Sequence, residues 1–197
     1  MIEYRRATEA DIPMLAETHI KCFPDYFLTS LGKKLLCSYY QSFWEEHNIF
    51  ALAFDGDKMV GFAMGHLYPS EARRNFERKN ALRLFFRLLF LCVKLDKPAL
   101  ERCTSRVFKK RSAENHLTFS HQADANALSL GVLEEYRRMH VATQLAAERE
   151  SIFKEYGVKS FTGSVLKDNH NIQRFLEKQG FSLIEEAGNG LRYIKYL

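Results

Sequence analysis

The chain has 197 residues, of which 46% are hydrophobic and 27% are charged, the composition of an ordinary globular protein. The length suffices for one sizeable core and not comfortably for two, so we expect one domain over residues 1–197. The four cysteines form no C-x-x-C pair and show no metal-ligand spacing, which favours reduced thiols over a disulfide framework and predicts no bound metal. The first residues carry no signal-peptide pattern, so we expect a cytoplasmic protein.

The basic charge is concentrated in one segment of the chain. The net charge is +5, yet residues 71–111 alone hold thirteen Lys and Arg against four Asp and Glu, so the remainder is acidic overall. The basicity therefore describes this segment and not the fold as a whole.

Hydrophobic spacing predicts the order β-α-α-β-β before the basic segment and β-α-β-α-β-β after it. Thr8 and Asp11 have the spacing of a capping box, and Asp55-Gly56 between two apolar runs predicts a hairpin. The segment 70–115 has no strand signal and is predicted to form one or two helices, the second starting at Pro98. The other predicted elements are strands 2–6, 49–54, 59–67, 127–133, 159–166, 181–186 and 191–196, a first helix between Asp11 and Phe23, and helices 28–46, 141–156 and 169–178. This alternation predicts an α/β fold, a mixed sheet with helices on both faces.

One strand, turn and helix form a candidate anion site. An apolar strand ending at Leu133 enters a polar turn, 134–139, which opens directly into a helix at Val141. Unpaired amides at a helix N-terminus bind anions, and Arg137 and Arg138 place two cations beside them. A phosphate or diphosphate is the natural ligand of such a unit, although many strand-turn-helix units bind nothing.

A second unit follows about 27 residues later. Asn169 can cap a helix whose apolar face carries Ile172, Phe175 and Leu176, and Gly180 stops that helix before a strand. Alone, this pattern is typical of any helix-strand unit.

In this order, the two units resemble the coenzyme-binding motifs of the GNAT N-acetyltransferase superfamily. The matching positions are Leu130-Gly131-Val132 at the strand end, Arg137-Arg138-Met139-His140-Val141-Ala142 in the turn, and Asn169, Phe175, Lys178, Gly180 and Phe181 in the later unit. The opening strand and Met59-Val60-Gly61-Phe62 also look like family strands, so the resemblance covers the chain outside 70–115. It implies a mostly antiparallel twisted sheet flanked by helices, with a helical insertion between the third and fourth strands.

The resemblance implies an N-acetyltransferase that uses acetyl-CoA as acyl donor. An amine of a small molecule, an amino sugar being one candidate, would attack the thioester directly through a tetrahedral intermediate. The implied coenzyme contacts are Leu130, Gly131 and Val132 for the pantetheine arm, the turn and helix start from Arg137 to Thr143 for the diphosphate, and Asn169 and Phe175. Asp25 and Tyr26, between the first two helices, are implied acceptor contacts.

Several positions bear on whether the chain is catalytic. His66 and His121 are candidate general bases because a His pKa suits that role, and each could equally be a structural imidazole. His140 stands where the family has a turn glycine, and its side chain could crowd a diphosphate or donate to it. Leu176 replaces a frequent Tyr acid and cannot donate a proton. Asn126 stands where some relatives carry a Glu base.

The apolar run 80–94 inside the insertion is too short and too charged to span a bilayer. A buried or dimer-forming helix is favoured, and an interfacial helix on an anionic membrane through 73–94 is the alternative. Nucleic-acid binding is not expected, since the Phe residues lie within apolar runs. Two other functions remain open for the chain: a catalytically silent coenzyme-binding module, and a membrane-surface or nucleic-acid adaptor that uses the basic insertion.

Overall fold

The computed structural model describes residues 1–93 and 123–197, which share one seven-stranded sheet in the order β1-β2-β3-β4-β5-β7-β6. The strands are β1 Ile2–Arg6, β2 Phe50–Asp55, β3 Lys58–His66, β4 Ala125–Val132, β5 Ser160–Leu166, β6 Ser182–Ala187 and β7 Gly190–Tyr196. The described helices are α1 Ile12–Cys22, α2 Phe27–Ser30, α3 Lys33–Glu46, α4 Pro69–Lys79, α5 Ala81–Val93, α6 Val141–Glu155 and α7 His170–Lys178.

The sheet is antiparallel at every junction except one, where β4 pairs with β5 in parallel. Helices α4 and α5 follow β3, and β4 begins the second half of the sheet. The predicted α/β class, the mostly antiparallel sheet and the helical insertion after the third strand are therefore confirmed.

Two apolar cores lie on opposite faces of the sheet. One joins α1, α3 and α4 to β2 and β3, and its largest fully buried side chains include Tyr40, Phe43 and Phe62. The other joins α6 and α7 to the centre of the sheet around Phe153 and Phe161. Each face needs this cover because both sides of β2 and β3 are apolar and buried.

The predicted capping box is present and is tied to the first strand. The Thr8 amide donates to Asp11 Oδ2 at 2.7 Å, and Arg5 donates to both Asp11 oxygens at 2.8 and 2.7 Å. These hydrogen bonds from Arg5 and Thr8 lower the pKa of Asp11 to about 2. They fix the chain between β1 and α1.

The prediction of one continuous helix over 28–46 is wrong, because the structure divides this segment into α2 and α3. Gly32 lies between them with φ of 86°, a conformation that breaks an α-helix and that glycine adopts without strain. The insertion starts at Pro69, and its first break falls at Asn80. The helix start predicted at Pro98 and the end of the insertion at residue 115 lie outside the described residues.

Candidate coenzyme and acceptor site

An opening in the sheet forms where β4 and β5 diverge. Their parallel pairing covers only Ala125, Asn126 and Ala127 of β4, with Phe161, Thr162 and Gly163 of β5 opposite them. The pairing of β4 with β3 also shifts register next to Leu128, so the strand bulges where the divergence begins. Beyond this point no described strand pairs with the β5 side of β4, and its peptide groups there line a cleft.

Strand alternation determines which amides of β4 line the cleft. The Leu133 amide donates to the Val60 carbonyl of β3 at 2.9 Å, so the amide of Gly131 also faces β3. The amides of Leu130 and Val132 therefore point the other way, into the cleft. Of the three residues implied to contact an extended arm, Leu130 and Val132 therefore direct their amides into the cleft, whereas the Gly131 amide is used by the pairing with β3.

Gly131 is required by packing against the end of α1. A Cβ atom at this position would lie 2.9 Å from Phe62 Cε1, 3.0 Å from Phe23 Cε2 and 3.2 Å from Cys22 Cβ. These distances are shorter than normal carbon contacts, so only glycine lets α1 approach β4 this closely. The close approach brings the α1–α2 loop to the edge of the cleft.

The turn after β4 is anchored to the β2–β3 hairpin. Residues Glu134–Tyr136 form one 3₁₀ turn, in which Glu135 accepts from Lys58 Nζ at 2.8 Å. The Tyr136 hydroxyl donates to Asp55 at 3.0 Å, and Lys58 also lies over the Tyr136 ring. The hairpin thereby holds the turn in place ahead of α6.

The start of α6 presents a run of unpaired amides. The first helical hydrogen bond runs from the Gln144 amide to the His140 carbonyl at 3.0 Å, and no side chain caps the helix. Within the described residues, the amides from 138 to 143 donate to no other protein group. Arg137, Arg138, Met139, His140 and Thr143 are exposed here, whereas Val141 is buried and Ala142 packs partly against the core.

Two residues of the turn have left-handed backbone. Arg138 has φ of 65° and His140 has φ of 61°, and both carry side chains. A left-handed residue at the helix start turns consecutive amides toward one point, a backbone shape that glycine adopts most readily. His140 supplies the same backbone shape at a cost in conformational strain.

We expect His140→Gly to raise the free energy of unfolding by about 0.5–1 kcal/mol, because glycine adopts φ of 61° without steric strain. Urea denaturation at neutral pH measures the change. His140→Ala is the control, since alanine keeps the strain and should be no more stable than the parent protein. A glycine variant less stable than the parent would contradict the prediction.

Asn169 and Phe175 belong to the α7 unit, Asn169 as the residue before the helix and Phe175 within it. The Asn169 side chain accepts from the Ile172 amide at 3.3 Å, so it caps α7, as its sequence position predicts. Phe175 is half-buried, and its ring packs against the core beneath α6. Leu176 is 8% exposed and belongs to that same core, where it contributes packing and no proton donor.

A cavity of about 280 Å³ lies beside the α1–α2 loop and is lined on one side by the insertion. Phe23 connects the two regions, because it contacts the Gly131 position and its ring lies 5.0 Å from that of Tyr26. The cavity wall consists of Tyr26, Phe27, Leu28, Leu31, Tyr39, Phe76, Leu84 and Leu88, with Arg73 and Glu77 as its charged residues. Tyr26 thus lines the cavity as an acceptor contact would, whereas Asp25 is exposed and does not line it.

His66 is fully buried beneath α3, away from solvent. Its Nδ1 accepts from the Tyr68 amide at 2.9 Å, so the hydrogen of the neutral ring is on Nε2, which faces Glu46 Oε2 at 3.7 Å. Burial and the nearby His47 lower the pKa of His66 to about 4. Glu46, His47 and His66 place three ligand-type atoms within 4.8 Å, but a protonated Nε2 is a donor and not a metal ligand. The ring therefore packs as a neutral core group, and His121 lies outside the described residues.

A polar row crosses the sheet where the cleft begins, and the sequence analysis named only its first member, Asn126. Thr162 Oγ1 donates to Asn126 Oδ1 at 3.1 Å, and Arg192 donates to the same hydroxyl at 3.1 Å. Thr162 is 2% exposed, and burial lowers the pKa of Arg192. The available signal was a polar residue at each of three central strand positions, which only the sheet order of β4, β5 and β7 brings together.

The GNAT acetyltransferase family model matches residues 107–181, which include the turn, α6 and α7. No curated protein matches the sequence. Solved structures share the fold over the whole chain at low sequence identity. A PaiA N-acetyltransferase from Thermoplasma acidophilum, in complex with coenzyme A, is 15% identical, with a TM-score of 0.56 over 100% of this chain and 99% of that one.

Two further solved structures also share the fold at low sequence identity. A polyamine N-acetyltransferase from Drosophila melanogaster, which forms N-acetylagmatine, is 12% identical, with a TM-score of 0.59 over 100% of both chains. The ribosomal-protein-S18-alanine N-acetyltransferase from Escherichia coli is 11% identical, with a TM-score of 0.60 over 100% of this chain and 94% of that one. The divergent strands, the unpaired amides of α6 and the shared fold agree with the family match, so residues 107–181 resemble the GNAT acetyltransferase family and the chain as a whole has the fold of these acetyltransferases.

Proposed function

We propose that this chain transfers an acetyl group from acetyl-CoA to a primary amine of a small molecule. The observation that carries the proposal is the run of unpaired amides at residues 138–143, placed at the mouth of the cleft between β4 and β5. A diphosphate at the helix start and an extended arm in the cleft would occupy both features at once.

The coenzyme contacts follow from the directions of these groups. The amides at the start of α6 would bind the diphosphate, helped by the helix dipole and by the exposed cations of Arg137 and Arg138. The amides of Leu130 and Val132 would bind the arm in the manner of a neighbouring strand. The bulge next to Leu128 would turn one amide toward the thioester oxygen, where negative charge develops.

The reaction needs few side chains. The amine nitrogen attacks the thioester carbon, the tetrahedral intermediate collapses, the C–S bond breaks, and the coenzyme leaves as a thiolate while the new amide loses a proton to solvent. Placing the two reactants together is worth about 7–11 kcal/mol of the barrier. A free thiol has a pKa near 8.5, so the thiolate can leave without the acid that Leu176 cannot provide. The buried and neutral His66 is not part of this scheme, and His121 stays a prediction.

The chemistry of the cavity indicates the acceptor class. Its wall is largely apolar and aromatic, with Arg73 and Glu77 as its charged residues. An amine attached to an apolar or aromatic body fits this wall better than a free amino sugar, whose hydroxyls would find few partners there. An amino sugar carried on an apolar group combines both features.

A thiol-release assay with acetyl-CoA tests the proposal. The panel should contain alkyl and aryl amines, polyamines and free amino sugars, and we expect the highest kcat/KM for amines with an apolar body. Calorimetry with acetyl-CoA supplies the second measurement. Heat of binding without turnover of any amine would favour the silent coenzyme-binding module, and no heat at all would contradict the proposed function.

We expect Leu84→Trp to raise KM for the acceptor at least tenfold, because the indole would fill the cavity that Leu84 lines. The KM for acetyl-CoA should stay within twofold of the parent value, since the coenzyme cleft lies beyond Phe23. Leu82→Trp is the matched control, because Leu82 lies on the same helix with 76% of its surface exposed. Equal acceptor KM values for the two variants would rule out this cavity as the acceptor site.

A further inference from the structure

The outward face of α5 carries a continuous apolar stripe. Its members are Leu82, Phe85, Phe86, Leu89, Phe90 and Val93, which are 76%, 61%, 64%, 54%, 46% and 76% exposed. They recur at helical spacing, so they lie on one side of the helix. Arg87 lies over the Phe90 ring at 5.5 Å, yet every member keeps at least 46% of its surface exposed, and isolated exposed apolar residues on a typical surface form no such continuous row.

The stripe is not a by-product of packing, since α5 has a separate inner face. Leu84 and Leu88 line the cavity, and Leu91 is 4% exposed against the core. Arg87 donates from Nε and Nη2 to the Ser30 carbonyl at 3.1 and 2.8 Å, which fixes the rotation of the helix. The outer face is therefore held toward solvent by the packing of the inner face.

Charge distinguishes between possible partners for the stripe. Helix α5 contains Arg83 and Arg87 and no acidic residue, and the preceding helix adds the exposed Arg74 and Arg78. By helix geometry, Arg83 lies at the border of the stripe next to Phe90. A second copy in a two-fold dimer would set this cationic helix against itself, whereas an anionic surface complements it.

We propose that α5 docks this protein onto an anionic lipid bilayer. The helix would lie in the interface with Phe86, Leu89 and their neighbours among the acyl chains and Arg83 at the headgroups. No described helix is long and apolar enough to cross a membrane, and α5 itself has only 13 residues. Because the inner face of the same helix lines the cavity, docking would hold the candidate acceptor cavity close to the bilayer.

Vesicle co-sedimentation of the full-length protein tests the proposal. With vesicles of 30% phosphatidylglycerol in phosphatidylcholine, we expect salt-sensitive binding at least tenfold stronger than to phosphatidylcholine alone. The double variant Phe86→Glu, Leu89→Glu should reduce the partition coefficient at least twentyfold. Arg83→Gln should reduce it about fivefold, as expected for one cation at the surface.

The matched control is Leu183→Glu with Tyr196→Glu, which adds the same two charges at exposed apolar positions of β6 and β7. This control should bind vesicles like the parent, and all variants should keep the parent's turnover of a water-soluble amine. Absence of vesicle binding by the parent would overturn the proposal. So would a dimer, detected by sedimentation velocity, that only the α5 double variant dissociates, since the stripe would then belong to a second copy.

Discussion

The variant Ala142→Glu is expected to weaken acetyl-CoA binding by at least about 100-fold while leaving the fold intact. A carboxylate at the second position of α6 would lie among the amides that we assign to the diphosphate, and like charges at such close range cost several kcal/mol. The same glutamate interacts favourably with the helix dipole, so the free energy of unfolding should be unchanged or higher by about 0.3–1 kcal/mol. Calorimetry with acetyl-CoA and urea denaturation measure the two quantities.

Ala147→Glu is the control for this variant, because Ala147 is an exposed residue of the same helix beyond its first turn. It introduces the same charge away from the unpaired amides and should bind acetyl-CoA like the parent. If the two variants bind acetyl-CoA equally well, the start of α6 is not the diphosphate site. If Ala142→Glu loses both acetyl-CoA binding and stability, the cause is a packing defect. Ala142→Ser, a smaller change, should then keep the acetyl-CoA binding and the stability of the parent protein.

The second large effect is a loss of stability at acidic pH. His19 and His66 are 2% and 0% exposed, and burial lowers the pKa of each to about 4 from an ordinary value of 6.5. Between these values the unfolded chain binds protons that the folded chain does not, so the free energy of unfolding falls as pH falls from 6.5 toward 4. Each ring should lower the free energy of unfolding by about 2–3 kcal/mol between pH 7 and pH 4.5.

A loss of about 5 kcal/mol would remove much of the stability of a typical domain, so we expect cooperative unfolding near pH 4.5 in moderate urea. The low pKa of Asp11 does not contribute in this window, since its loss of stabilisation begins only near pH 3.8. His66→Gln should reduce the pH dependence by about half, because the amide can still accept from the Tyr68 amide but does not titrate. His170→Gln, which makes the same substitution at an exposed position of α7, is the control. If the free energy of unfolding depends on pH equally strongly in His66→Gln and in the parent protein, His66 is not a source of the acid sensitivity.

His66 shows how far residue type can mislead. His66 was a reasonable candidate base from its place at the end of a strand, and the structure surrounds it with Phe43, His47 and Glu46. The approach of α3 to β3 causes this burial, and no local sequence pattern encodes that approach. The His19 ring is likewise buried, with Nδ1 at 2.6 Å from the Tyr40 hydroxyl on a helix 21 positions away.

The amino-acid sequence alone determined the features that depend on neighbours along the chain. Hydrophobic spacing located all seven strands to within about two residues, and local capping chemistry marked the starts of α1 and α7. The turn that opens α6 was also readable, because an anion site at a helix start is made by consecutive backbone amides.

Only the tertiary structure decided the features that join distant segments. The cleft arises because β4 pairs with β5 over three residues and then diverges, and the cavity arises because α5 folds back over α2 and α3. The polar row of Asn126, Thr162 and Arg192 likewise depends on the order of strands in the sheet. Which face of α5 is buried was equally undetermined, since both of its faces are apolar and only packing against the cavity selects one of them.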